Sequence, residues 1–479
     1  MRCCLLLILL SYFLGVHAQL IPDPAPFQSN IETEKKFQTT LKTRYQEDVT
    51  GLRSPHKKYI ADIYKERYEY IKERLDNSEI ITDTSVQSYL SSLIQVIVQN
   101  NPVITQPEKL RIYFSNTWWA NAASFGEGTI LFNIGLFHRL ENEAQVAFVL
   151  CHELAHYYLN HSNTSIHQYV NTLYSDEMQL ELKKIDKAEY NRNHHLDKLA
   201  LHLGFKNRRH NREHERSADS MALELMKNTP FDIKEVLSCL SILDVADKEK
   251  YHTSLQLDQL WNFTNFPFKK RWLEANTLTF ISSQEEKAKN KVLEDSLKTH
   301  PDCQVRKATL EKMMTDFSQK HAKAFLVDEQ KFDLLKRAFD FQVLESSFAA
   351  NKVSTCLYTA LQMHKADPSN SYVNGVIGKC LARIYTAQKQ HELGKIIELP
   401  NDSFDEEYNK LLHLLQNIRL SELAAITYYF MEAYTPSGKQ SETFLKALIK
   451  SKENFEKHEE TAYWIQYYNN QFSNKKQIP

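Results

Sequence analysis

Glycine is scarce in this chain, and its scarcity limits the fold more than any other feature of the composition. Only 10 of the 479 residues are glycine. Tight turns use glycine where the backbone needs a positive φ, whereas helix interiors disfavour it. We therefore expect a mainly helical chain with few open sheets. Its length is sufficient for two or three domains with a sizeable core.

The charge of the chain is balanced, which argues against nucleic acid as a partner. Lys and Arg together number 59, and Asp and Glu together number 60. Such a balance creates no long-range field that would attract a polyanion or an anionic membrane. We therefore predict no nucleic-acid partner.

The N-terminus has the three parts of a secretory signal peptide. Arg2 precedes an apolar run over residues 5–14, and residues 16–18 (VHA) form a small-residue cleavage site. The run is too short for a comfortable membrane span, and no later segment has about eighteen uninterrupted apolar residues. We predict that residues 1–18 are removed on export, which leaves a periplasmic or secreted chain without a transmembrane segment. An uncleaved anchor is the alternative.

The rest of the chain divides into three predicted segments. Residues 19–53 are polar, contain IPDPAP and are predicted to be a linker. Residues 54–315 combine helical patterns with two strand candidates, KLRIYFS (109–115) and TILFNIG (129–135). From residue 316 to residue 479 the pattern is helical without strand signals, which predicts a separate all-α C-terminal domain.

One hairpin in the C-terminal segment resembles a tetratricopeptide repeat. Residues 353–390 have two helical patterns around the turn D-P-S-N, but no clean series of such repeats follows. An ordinary helical hairpin is the alternative. Cys356 and Cys380 lie equally far from Pro368 in the turn. They could form a disulfide, although helix axes about 8–10 Å apart leave little room for the bond.

The H-E-L-A-H segment (152–156) lies in an apolar helical pattern and carries the main chemical signal. Residues four apart share one face of a helix, so His152 and His156 can bind one metal ion. Glu153 is rotated by about 100° from His152, close to the metal but outside the ligand pair. Zinc lowers the pKa of a bound water, and Glu153 could accept its proton as a general base. Two solvated histidines on a surface helix are the alternative.

A hydrolytic zinc ion needs a third protein ligand, and the next residues do not provide it. The metzincin continuation H-E-x-x-H-x-x-G-x-x-H requires glycine where this chain has Leu159 and histidine where it has Ser162. His161 comes one residue too early. Cys151 lies on the apolar side of the helix and is interpreted as a buried packing residue.

The best candidate for the third ligand is in E-R-S-A-D (215–219). Glu215 could face the metal, and Asp219 lies one turn further on the same face. Asp219 could then hydrogen-bond the distal nitrogen of His152, which is how ligand histidines are usually oriented. Glu213 is the main rival, but it lacks an aspartate four residues later. The residues therefore predict one zinc ion per chain and hydrolysis of a protein or peptide substrate.

Four segments together resemble the zinc metallopeptidase family of HtpX-like proteases and CAAX prenyl endopeptidases. They are the run from residue 121 to residue 137 (NAASFGEGTILFNIGLF), H-E-L-A-H, E-R-S-A-D, and K-T-H-P (298–301) followed by Arg306. The resemblance covers about residues 55–315 and implies an α+β, mainly α, zincin-type domain with a small sheet. It also implies zinc on His152, His156 and Glu215, with Glu153 as the catalytic acid and base.

The chain departs from the family pattern at three places. Ala155 replaces the usual glycine of H-E-L-G-H, and residues 126–128 (GEG) are a looser version of a glycine pair. The distance along the chain from Glu215 to His300 suggests an insertion near residues 240–295. His300 could gate the metal site or donate a hydrogen bond to a transition-state oxyanion. A structural residue before a proline is the alternative.

The resemblance also implies a biological role. An exported member with a helical C-terminal region is most similar to the BepA-type proteins, which act in outer-membrane protein quality control. Protein partners would then bind the C-terminal helices. TILFN is our candidate for an edge strand that pairs with an extended substrate, and an ordinary core strand is the alternative. A chaperone-like or binding module with auto-inhibited or vestigial protease activity is the competing function.

Overall fold

The structure of this protein is a computed structural model. It describes residues 20–21, 23–186, 212–245, 254–274, 303–315, 317, 322–401, 404–435 and 440–474. Among these residues, no helix combines the length and the apolar character that a membrane crossing requires. The predicted signal peptide (1–18) and His300 lie outside the described residues.

Helices dominate the described residues, as the scarcity of glycine predicts, so the mainly α prediction is confirmed. The helices are α1 (Ile31–Thr50), α2 (Lys57–Asp76), α3 (Thr84–Gln99), α4 (Ile134–Phe137), α5 (Glu143–Tyr158), α6 (His161–Leu173), α7 (Asp176–Asp186), α8 (212–227), α9 (Glu235–Asp244), α10 (Leu257–Leu260), α11 (Cys303–Met314), α12 (Glu329–Ala349), α13 (Val353–Ala366), α14 (Ser371–Lys389), α15 (Glu406–Asn417), α16 (Leu420–Ala433) and α17 (Glu442–Asn474). The strands are β1 (Leu20–Ile21), β2 (Arg111–Ser115), β3 (Ala122–Ser124), β4 (Thr129–Asn133) and β5 (Gln440–Ser441).

The chain divides into two compact units, which are described separately. The first, here the motif unit, comprises Pro26–Lys250 and Phe280–Ser346, and the second, here the helical unit, comprises the rest. The sequence instead predicts a boundary between residues 315 and 316. The structure differs because α12 contributes Phe332 and Phe339 to the hydrophobic core that contains α5.

The predicted linker over residues 19–53 contains a helix. In α1, the Asn30 side chain caps the helix by accepting a hydrogen bond from the Thr33 N–H. Phe37 and Leu41, four residues apart, are buried on one face. Most other residues of α1 are polar, so its narrow apolar face is masked in the sequence by the surrounding charged residues.

The motif unit contains a three-stranded sheet in the order β2-β4-β3. β2 and β4, the two predicted strands, are parallel, whereas β3 is antiparallel to β4. The prediction that TILFN is an edge strand is therefore wrong, because β4 is paired on both sides and all its residues are buried. The edge strand beside β4 is β3, which lies between the two strand candidates of the sequence.

The turn between β3 and β4 depends on two glycines. Gly126 has a φ of +80° and Gly128 a φ of +103°, values that other residues rarely adopt. A Cβ atom at Gly128 would lie 2.6 Å from the Lys109 carbonyl oxygen. The G-E-G segment thus retains glycine at the positions where the backbone requires it.

Helix α5 runs through the core of the motif unit. Its N-cap Asn142 accepts a hydrogen bond from the Gln145 N–H at 3.0 Å. Every residue from Glu143 to Ala155 is buried. Cys151 is fully buried among apolar residues, in agreement with a packing role.

The helical unit contains the predicted hairpin as α13 and α14. Asn370 caps α14 by accepting a hydrogen bond from the Val373 N–H. The Sγ atoms of Cys356 and Cys380 are 3.5 Å apart, and both residues are fully buried. This distance exceeds a disulfide bond of about 2.05 Å. Disulfide formation and the likeness to a tetratricopeptide repeat both stay predictions.

Candidate metal centre

Three side chains from two helices converge in the motif unit. The Nε2 atoms of His152 and His156 on α5 are 3.0 Å apart. Glu215 on α8 places its carboxylate oxygens 3.5 Å from the Nε2 of His152 and 3.3 Å from the Nε2 of His156. One ligand atom from each residue lies within 4.8 Å of the other two. The structure thus brings together the three residues that the sequence predicts to be metal ligands.

Helix α8 positions Glu215 through its buried face. Ala218, Ala222 and Met226 are fully buried and recur at the spacing of a helix face. Glu215 lies one turn before Asp219, which is also buried. Glu213, the rival candidate, is exposed and is not a member of the convergent group.

Asp219 connects the candidate ligand His152 to a buried arginine. Its Oδ1 lies 3.0 Å from the Nδ1 of His152, as the sequence predicts. Both of its oxygens also accept hydrogen bonds from the Arg306 guanidinium at 2.7 Å. Burial alone would raise the pKa of Asp219, but Arg306 and His152 lower it below the ordinary value. Asp219 therefore places a negative charge beside the Nδ1 of His152.

The carboxylates of Asp219 and Glu215 in turn change the pKa of His152. Burial disfavours the charged form of His152, but hydrogen bonds and charges from Asp219 and Glu215 raise its pKa to about 10. The chain alone thus holds a proton at this position. A divalent cation would occupy the same negative surroundings and would have to displace that proton.

Glu153 follows His152 on α5 and is buried. Its position in the helix turns it by about 100° from His152. This orientation agrees with a position beside a bound metal ion, at a residue that is not one of its ligands. Its role as a general base stays a prediction.

His161, at the start of α6, lies behind His156 and outside the convergent group. Its Nδ1 is 3.0 Å from the Nδ1 of His156, and its Nε2 is 3.1 Å from the Oγ of Ser217. The ring of His214 stacks on it with a centroid distance of 4.2 Å and an interplanar angle of 9°. Burial and the neighbouring His156 lower the pKa of His161 to about 3.

The sequence predicted no role in the site for three residues that the structure places there. It placed Arg306 in a family motif without a role and gave no role to Ser217 or His214. The spacing of K-T-H-P and Arg306 was the only signal for the arginine. No signal linked His161 to Ser217, because their contact joins two helices that are distant in sequence.

The residues present fit a zinc ion. Catalytic zinc sites often use two histidines and a glutamate, with the fourth position left to water or substrate. The convergent group supplies that set, and Asp219 and His161 contact the distal nitrogens of the two histidines. Ligand histidines almost always have such a partner for the other ring nitrogen.

The site lies in a segment with a known family likeness. Residues 84–314, just under half of the chain, match the model of peptidase family M48. The matched segment includes every residue of the convergent group, and the match supports a peptidase that acts on proteins. No curated protein gives a significant match to the chain.

Proposed function

We propose that this protein is a zinc-dependent metalloendopeptidase with one zinc ion per chain. His152, His156 and Glu215 would hold the ion, and Glu153 would be the general base. One observation carries the proposal: the ligand atoms of these three residues meet within 4.8 Å of one another. They do so inside the segment that matches a peptidase family.

The chemistry divides between the ion and the protein. When bound, zinc acts as a Lewis acid that lowers the pKa of water and polarises a carbonyl group. The carboxylate of Glu153 accepts a proton from the attacking water. The same carboxylate then donates that proton to the nitrogen of the leaving amine. Because Glu153 is buried, few solvent molecules compete with these transfers.

Strand β3 is the best candidate for binding the substrate backbone. In the register with β4, the backbone N–H and C=O groups of Ala122 and Ser124 point away from β4, toward the open edge of the sheet. The Ser162 hydroxyl, beside His161, donates to the Ser124 carbonyl at 2.9 Å, which connects this edge to the metal centre. An extended peptide paired with β3 would bind mainly through its backbone, which favours unfolded substrates of varied sequence.

The assignment to a group of metallopeptidases and to a biological role rests on the resemblance of the sequence motifs. We propose that the protein is similar to HtpX-like and CAAX prenyl endopeptidases, and most similar to BepA-type members. Export, a role in envelope protein quality control and partners at the C-terminal helices belong to this proposal. The intact set of His152, Glu153, His156 and Glu215 favours an active enzyme over a chaperone-like module with vestigial activity.

The test compares the wild type with Glu153→Gln and Glu215→Gln. Zinc content and hydrolysis of an unfolded protein such as casein are measured for each. We expect Glu153→Gln to keep one zinc ion and to lose activity by about 10²–10⁴-fold, since it removes only the general base. Glu215→Gln should lose zinc. Glu213→Gln, which changes an exposed neighbour, should retain zinc and activity.

Two results would contradict the proposal. If the wild type holds zinc but cleaves neither casein nor any member of a peptide library, the chaperone-like alternative is favoured. If Glu213→Gln rather than Glu215→Gln loses zinc, the ligand set is wrong.

A further inference from the structure

We infer that His161 and Ser217 are positioning residues that fix the ring of His156 through a relay of three hydrogen bonds. The relay joins the Nδ1 of His156 to the Nδ1 of His161 at 3.0 Å and the Nε2 of His161 to the Oγ of Ser217 at 3.1 Å. Its last bond joins the Oγ of Ser217 to the Glu213 carbonyl oxygen at 3.0 Å. The inference rests on the proposed function, because it concerns a proposed zinc ligand.

The first hydrogen bond has only one possible direction when His156 binds zinc. The Nε2 of His156 faces His152 and Glu215, so this is the nitrogen available to the ion. A neutral imidazole that binds a metal through Nε2 carries its proton on Nδ1. That N–H points at the Nδ1 of His161, which must therefore accept the hydrogen bond.

The hydrogen bonds at the Ser217 end of the relay must run in the same direction, from His156 toward the Glu213 carbonyl. With Nδ1 as an acceptor, a neutral His161 carries its proton on Nε2 and donates it to Ser217. The Ser217 hydroxyl then donates to the Glu213 carbonyl, with the His214 carbonyl also at 3.0 Å. A carbonyl oxygen can only accept a hydrogen bond. The direction of the last hydrogen bond is therefore fixed, whichever tautomers the two histidines adopt.

The surroundings of His161 hold its ring in the plane that the relay needs. The residue is buried, and the His214 ring is stacked nearly parallel to it. Ser217 is on α8, the helix that also carries Glu215. The relay therefore ties a ligand on α5 to the helix that provides the third ligand, through the first residue of α6.

The two ligand histidines consequently have different partners. The Nδ1 of His152 lies 3.0 Å from the charged carboxylate of Asp219, whereas the Nδ1 of His156 lies 3.0 Å from the imidazole of His161. A carboxylate partner adds negative charge and raises the basicity of the ligand. His161 orients His156 without adding charge, so its contribution should depend on an acceptor atom at the position of Nδ1.

The experiment measures the zinc dissociation constant of the full chain by competition with a chelator of known affinity. His161→Phe keeps a ring of similar size but removes the acceptor, and it should weaken zinc binding by about 10–100-fold. His161→Asn can place its amide oxygen where Nδ1 lies, and it should bind zinc within about threefold of the wild type. His167→Phe, elsewhere on α6, is the control and should not change zinc affinity.

A smaller effect is expected from Ser217→Ala. Ser217 is exposed, so water can take over its contact with His161, and zinc binding should weaken by less than about tenfold. The relay is overturned if His161→Phe binds zinc as tightly as the wild type. It is also overturned if His161→Asn loses as much affinity as His161→Phe, since the ring would then serve only as packing.

The readout separates the relay from the enzyme activity. If the wild type binds zinc but does not cleave peptides, the enzyme proposal fails and the affinities still decide about the relay. A wild type that binds no zinc would overturn both. Far-UV circular dichroism of each variant verifies that the helices are retained.

Discussion

Asp219 lies between two groups, the proposed zinc ligand His152 and the guanidinium of Arg306. A buried carboxylate is costly unless it is paired and hydrogen-bonded, and Arg306 satisfies both of its oxygens. Arg306 also lies 3.4 Å from Glu215. At the scale of single residues, one arginine therefore balances both carboxylates of the proposed metal centre.

Replacing Asp219 by asparagine should weaken zinc binding. Asparagine has the same shape but lacks the charge that Arg306 and His152 both need. We expect the zinc dissociation constant to rise by about 10–100-fold, measured by chelator competition. Asp62→Asn, an exposed change on α2, is the matched control. An unchanged constant for Asp219→Asn would show that the charge of Asp219 does not support the ligand.

Helices α16 and α17 of the helical unit approach α14 closely at its two glycines. A Cβ atom on Gly375 would lie 2.5 Å from the backbone nitrogen of Phe444 at the start of α17. A Cβ atom on Gly378, one turn later, would lie 2.4 Å from the sulfur of Met431 on α16. At the scale of elements, these glycines set how closely α14 packs on its neighbours.

Gly375→Ala should destabilise the protein although alanine favours helices. The alanine methyl would collide with backbone atoms, and such overpacking costs about 1–3 kcal/mol. The midpoint of urea unfolding, followed by circular dichroism, reports this cost. Gly394→Ala is the control, since a Cβ atom there meets no described atom within 4 Å. Equal midpoints for Gly375→Ala and the wild type would mean that α14 and α17 can move apart without a loss of stability.

At the scale of the whole molecule, α12 determines where the motif unit ends. The ring of Phe339 lies 5.1 Å from that of Phe114 on β2 and 5.2 Å from that of Phe137 on α4. Phe332 is also buried in this core. A fragment that ends at residue 315, the predicted boundary, would expose this aromatic cluster.

Phe339→Ala should destabilise the full chain far more than a change on the outer face of α12. Removing a fully buried phenylalanine typically costs about 3–5 kcal/mol. Leu334 is 61% exposed, so Leu334→Ala should cost less than about 0.5 kcal/mol. Both values come from urea unfolding of the full chain. A similar cost for the two variants would contradict the assignment of α12 to the core.

Local patterns predicted what depends on helix geometry. The spacing in H-E-L-A-H places His152 and His156 on one face, and E-R-S-A-D places Glu215 and Asp219 one turn apart. The same patterns failed for α1 and β3. The apolar face of α1 is narrow and β3 is only three residues long, so neither leaves a clear period in the sequence.

The sequence by itself therefore determined the mainly helical class and the candidate ligands, because helix periodicity acts between residues a few positions apart. Only the tertiary structure decided that β4 is the central strand, that Arg306 holds Asp219, and that His161 joins His156 to Ser217. The pairing of β2 with β4, the bonds between Arg306 and Asp219 and the contact between His161 and Ser217 each join segments distant in the chain. Their distances depend on how the helices and the sheet pack, and no local period records that packing.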